Sequence, residues 1–137
     1  MFSIGKLSDQ ARVKIPTIRY YEGIGLMPEA ERSAGGQRRY TRAHAERLSF
    51  IRHSRDLGFS LDAIRALFEL AAHPDQTCAQ ANAIARDQLA EVRARISRLQ
   101  RLEVELARIA VYDCAGDVAD CQVLTALGDH TQCEGAH

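Results

Sequence analysis

Apolar positions recur along this chain at helical spacing, in blocks separated by short polar or glycine-containing joints. Ile4, Leu7 and Ala11 form the first stripe. Val13 to Ile15 makes a tight connection, and Pro16 suits the first turn of a second helix, where a missing N–H costs nothing. Ile18 and Tyr21 then face inward, leaving Thr17, Arg19 and Tyr20 to point out. Gly23, Gly25 and Pro28 end that helix. Thr41 caps a third helix with Ala45, Leu48 and Ile51 inside, stopped at Leu57-Gly58-Phe59. Ser60 caps a fourth with Leu61, Ile64, Leu67, Phe68 and Ala71 inward, closed by His73 and Pro74.

The longest uninterrupted stretch runs from Thr77 to Ala110 without glycine or proline. Leu89, Val92, Ile96 and Leu99 step by three, four and three, the apolar seam of a coiled coil. Leu102, Leu106 and Ile109 resume the stepping after a one-position slip. Thr77 with Gln80 reads as a capping box, and Cys78 falls in the first turn. One helix of this extent is roughly 50 Å long at about 1.5 Å per residue. Cys78 and Cys114 of one chain are then too far apart to share a ligand. In an antiparallel pair, Cys78 of one chain lands beside Cys114 and Cys121 of the other.

Between the second and third helices, Ala34-Gly35-Gly36 is a turn followed by Gln37-Arg38-Arg39-Tyr40. Paired arginines and a tyrosine after a glycine turn suit a β-hairpin wing that rests on phosphates. Two short helices on a tight turn fit a helix-turn-helix, although an ordinary helical hairpin has the same pattern. Charge favours the first reading. Residues 1–72 carry twelve Lys and Arg against eight Asp and Glu, net +4, and the remaining residues carry six against ten, net −4. Past Val111 there is no Lys or Arg. A basic head on an acidic, cysteine-bearing tail implies two tasks.

No apolar run is long enough for a bilayer and no basic-then-apolar leader opens the chain, so a cytoplasmic protein with reduced thiols is expected. Cys114 and Cys121 enclose six residues including Gly116, and two thiolates on such a loop can converge on one soft ion. Cys78 at a helix N-terminus has its thiolate favoured by exposed amides. Each cysteine alone also fits a small buried hydrophobe. No metalloprotease helix, nucleophile elbow or glycine-rich phosphate loop is present, which argues against an enzyme.

Ile4-Gly5-Lys6-Leu7, Thr17-Ile18-Arg19-Tyr20-Tyr21-Glu22 and Gly25-Leu26 together resemble the opening of a MerR-type transcriptional regulator. Gly36 to Tyr40, and Leu57-Gly58-Phe59-Ser60-Leu61 with Ile64, continue the likeness, which extends to about residue 127. The resemblance implies a mostly α fold in three parts. Residues 1–72 would form a winged helix-turn-helix head, 77–110 a long antiparallel coiled-coil dimerisation helix, and 111–137 a metal-binding loop and tail. By position, Thr17, Arg19, Tyr20, Arg38, Arg39 and Tyr40 are the candidate DNA contacts, with Tyr21 left in the core. The resemblance also implies a homodimer that distorts a double-stranded promoter operator so that RNA polymerase holoenzyme can use it.

Cys114-Ala115-Gly116-Asp117 and Ala119-Asp120-Cys121 look like the family's copper(I)-sensor loop, shorter by one residue. Those sensors have serine where this chain has Cys78, whereas the cadmium, lead and zinc sensors have cysteine. Three thiolates, Cys78, Cys114 and Cys121, also balance a divalent ion better than a monovalent one. The expected effector is therefore cadmium, lead, zinc or mercury, ahead of copper(I). Zinc would want a fourth ligand, for which His130, Cys133 and His137 are candidates. A thiol-redox switch between Cys78 and a partner cysteine is the rival reading. An iron–sulfur sensor would need four clustered cysteines, and only Cys114 and Cys121 are close.

Overall fold

The computed structural model describes residues 1–111, 116–118 and 121–128. The chain divides into two compact units, Met1–Gln88 and Leu89–His137.

The first unit begins with α1 (Ile4–Ala11), started by Ser3, whose hydroxyl accepts from the Lys6 N–H. Arg12 ends it in the left-handed region at φ 56°, a conformation that disfavours side chains other than glycine, asparagine and aspartate. The Ser8 hydroxyl donates to the Val13 carbonyl at 2.6 Å and helps hold this bend. Three residues later α2 (Ile15–Gly23) begins, with Pro16 in its first turn and Ile18 and Tyr21 buried. This is the helix-turn-helix geometry expected from the spacing.

The wing is a two-stranded antiparallel ribbon of β1 (Glu31–Arg32) and β2 (Arg38–Arg39), with Glu31 opposite Arg39 and Arg32 opposite Arg38. Gly36 turns it at φ +79°, a conformation that an L side chain would strain. Phe2 and Tyr40 extend the ribbon through a pair of backbone hydrogen bonds of 2.7 and 2.8 Å. The chain start is thereby stitched to the wing's base.

Thr41 caps α3 (Arg42–Asp56) in a capping box whose reciprocal partner is His44. Gly58, at φ +88°, makes the turn into α4 (Leu61–Ala71), which Ser60 caps. Leu7, Ile18, Leu26, Met27, Tyr40, Leu48, Ile51 and Ile64 are the fully buried centre. Ala71, expected inward, is exposed, because the last turn of α4 runs past this core.

The long helix, α5 (Ala79–Ala110), starts two residues after Thr77, and its first ten residues belong to the first unit. Cys78 thus lies just outside the helix instead of in its first turn; its carbonyl accepts from Asn82 N–H at 2.9 Å. In the second unit, Leu89, Ile96, Leu99 and Leu106 are between 45% and 61% exposed in the single chain. So many half-bare apolar side chains on one helix need a covering surface. Further along, Glu105 and Ile109 are buried, and Glu105 accepts from Arg108 at 2.7 Å. A short α6 (Gln122–Gly128) follows, with Ala126 buried. No helix among the described residues is long and apolar enough to cross a membrane.

Candidate functional site

Arg19, Glu22 and Gly23 of α2, with Glu29, Ala30, Arg32 and Arg38 from the wing side, line a cleft of about 340 Å³. Three guanidinium groups in one concavity make a surface suited to phosphate, since each can give two parallel N–H bonds to oxygen. Arg19 and Tyr20 are exposed, Thr17 is half-buried, and Arg38 is exposed at the ribbon's edge. Arg39 is half-buried, and its guanidinium donates to Gln37 Oε1 at 3.1 Å. Arg32 is spent in part on the Gly36 carbonyl at 3.0 Å, which braces the turn.

Tyr40 departs from expectation. Expected to offer its hydroxyl to DNA, it is fully buried, and that hydroxyl donates to Glu22 Oε1 at 2.5 Å. Strand alternation places Tyr40 on the same side as Arg38, but the bridge to Phe2 carries the backbone into the core. Burial first, and then the hydrogen bond to Glu22, push its ionisation up to about 12. Tyr40 is a core tyrosine tied to the recognition helix.

Three further polar residues support this surface. His44 is buried, with Nδ1 accepting from the Thr41 N–H at 3.0 Å and Nε2 3.1 Å from the Glu29 carbonyl, so a neutral ring protonated on Nε2 satisfies both. Arg47 Nε donates to the Leu26 carbonyl at 2.9 Å, and Arg65 Nη2 to the Ile24 carbonyl at 2.9 Å. Both carbonyls lie just past the end of α2, where the helix dipole is negative. Burial, and then the neighbouring charge of Arg65, lower the ionisation of Arg47 from its ordinary value. The Phe68 ring lies 3.7 Å beneath the Arg47 guanidinium. His44 is four before Leu48 and seven before Ile51, so its inward phase was visible in the sequence. The arginines had no such signal, because their acceptors are backbone carbonyls distant in the chain.

Of the candidate metal ligands, Cys78 is an exposed thiol at the start of α5. Cys121 is half-buried just before α6, and its carbonyl accepts from the Thr125 N–H at 3.1 Å. Cys114, His130, Cys133 and His137 lie outside the described residues. Among the described residues, no three His, Cys, Asp or Glu side chains of the single chain come together to hold a metal.

Residues 2–70 match the family model for the MerR HTH family regulatory protein, and residues 45–109 match the model for MerR, DNA binding. The HTH-type transcriptional regulator ZntR of Escherichia coli (strain K12) is 42% identical over 130 residues, covering 93% of this chain and 92% of that protein. The structure of the transcription regulator PbrR691 from Ralstonia metallidurans CH34 in complex with lead(II) is similar at 37% identity and a TM-score of 0.78, covering 93% of this chain and 99% of that one. HiNmlR, a MerR family regulator lacking the sensor domain and bound to promoter DNA, is similar at 27% identity and a TM-score of 0.58, covering 77% and 83%. With its helix-turn-helix, wing and long helix, this chain belongs to the MerR family of helix-turn-helix transcriptional regulators, which are DNA-binding regulators and not enzymes.

Proposed function

We propose that this protein is a metal-responsive transcriptional regulator that binds promoter DNA as a homodimer and activates transcription when a soft divalent ion binds. The observation that carries the reading is the exposed Cys78 thiol at the start of α5, a 32-residue helix. A continuous helix of that length spans about 48 Å, which keeps Cys78 away from the thiols that follow the helix in the same chain. An antiparallel partner helix brings them together, and the half-exposed seam of Leu89, Ile96, Leu99 and Leu106 gives such a partner something to cover. The lead(II) complex of PbrR691 supports a soft-metal effector.

In this reading Cys78 of one protomer joins Cys114 and Cys121 of the other. The donor set fits the ion: three thiolates are soft ligands and compensate a divalent charge. Cadmium, lead, zinc and mercury are the candidate effectors. Thr17, Arg19, Tyr20, Arg38 and Arg39 contact the operator, with the arginines fixing the protein on phosphates. The promoter-DNA complex of HiNmlR supports that placement of the head. Activation proceeds by deforming the operator so that RNA polymerase engages it, at a cost of a few kcal/mol of DNA strain. The effector must then bind the two states with a comparable difference in affinity.

The test is titration of the reduced dimer with zinc, cadmium, lead, mercury and copper(I), read as promoter activation in vitro. Activation by one or more of the divalent ions, lost in C114S and C121S with operator binding kept, is the expected outcome. Activation by copper(I) alone would assign the loop to monovalent sensing. Reversible activation by peroxide in metal-free protein would assign it to thiol redox chemistry.

A further inference from the structure

Glu22 is an acid in the wrong place for a DNA-binding cleft. It lies three residues after Arg19 on α2 and shares the cleft with Arg19, Arg32 and Arg38. Residues at that spacing on a helix are neighbours, and the same spacing supports the Glu105–Arg108 ion pair in this chain. Yet Arg19 has no ion pair among the described residues, whose pairs are Arg42–Glu46, Arg52–Asp56 and Arg108–Glu105. One Glu22 oxygen is instead held by the Tyr40 hydroxyl, which comes from the core at the base of the wing.

We propose that Tyr40 is a positioning residue that holds the Glu22 carboxylate away from Arg19, keeping the Arg19 guanidinium available to DNA phosphate. A fully buried ring cannot follow the motions of a surface side chain, so it anchors Glu22 from below. The bond also joins α2 to the end of β2 across eighteen residues of sequence. Without the hydroxyl, Glu22 turns to its helical neighbour. The head then closes an internal ion pair that competes with phosphate for the same guanidinium. Tyr40 therefore acts on DNA binding through Glu22, without touching DNA.

The inference rests on Arg19 as a DNA contact, and the experiment separates the two. Operator affinity of the full-length dimer is measured at fixed salt for wild type, Y40F, E22Q, the double variant and R19A, with thermal unfolding of each. Y40F keeps the ring and its packing. It should bind operator about fivefold more weakly, the scale of one partly exposed ion pair. In the E22Q background the same Tyr40→Phe change should cost nothing, because no carboxylate remains to capture Arg19. An equal loss in both backgrounds would overturn the proposal, assigning Tyr40 to packing or direct contact; no loss in either would also overturn it. R19A with unchanged operator affinity would instead remove Arg19 from the interface, whatever the other variants do.

Discussion

Leu99 is 61% exposed in the single chain, in the middle of the α5 seam. Burying a whole leucine is worth about 1.5–3 kcal/mol, so covering the exposed part of Leu99 is worth about 1–2 kcal/mol per protomer. Two-fold symmetry presents the residue twice, so Leu99→Ala, which leaves one methyl group behind, should weaken association by about 1.5–3 kcal/mol. That is a rise of about 10- to 150-fold in the dimer dissociation constant. Sedimentation equilibrium over a concentration series, on reduced and metal-free protein, reads it directly. Arg101→Ala on the same helix is the control, since this exposed arginine bonds only to Ser97 Oγ at 3.3 Å and should change association little. If L99A and R101A associate equally well, the seam is not the dimer interface. A wild-type chain that stays monomeric would refute the argument outright.

Arg38→Ala should lower the slope of log affinity against log salt by about 0.9, the signature of one lost phosphate contact, and an unchanged slope would take Arg38 off the backbone. Tyr40 gives a pH prediction. Its ordinary value is 10.0 and the fold raises it to about 12, so above pH 10 the unfolded chain releases this proton while the folded chain keeps it. Stability from this group is full below pH 10 and is lost as pH rises to about 12, by about 2–3 kcal/mol in all. Urea unfolding across that window should show the loss in wild type and a smaller one in Y40F. Arg65→Ala leaves the Ile24 carbonyl without its charged donor and should cost about 1.5–3 kcal/mol in urea unfolding, against less than 0.5 kcal/mol for a bystander surface change.

The fold was largely legible because each element of the head declares its own boundaries. Pro16 opens α2, Thr41 and Ser60 cap α3 and α4, and Gly58 takes a left-handed turn that its neighbours could not take cheaply. The misreadings concern non-local contacts. Tyr40 was placed on the surface by strand alternation, and only its bridge to Phe2 and bond to Glu22 bury it. Arg47 and Arg65 look like ordinary surface charges until their carbonyl partners past α2 are known. Cys78 was misplaced by a single residue, because a threonine cap two positions earlier was the stronger local signal. The pairing of Cys78 with thiols beyond α5 was suggested by helix length alone, and belongs to the dimer.

The claim that the metal site is shared between protomers has a direct test in mixed dimers. A C78S chain paired with a C114S/C121S chain can rebuild one complete three-thiolate site, formed by Cys78 of the second chain with Cys114 and Cys121 of the first. Neither parent homodimer can form any. Cadmium or lead titration, followed by thiolate-to-metal charge-transfer absorption, should show tight binding at half the wild-type stoichiometry in the mixed dimer and none in either parent. A mixed dimer that binds no better than its parents would contradict the shared site.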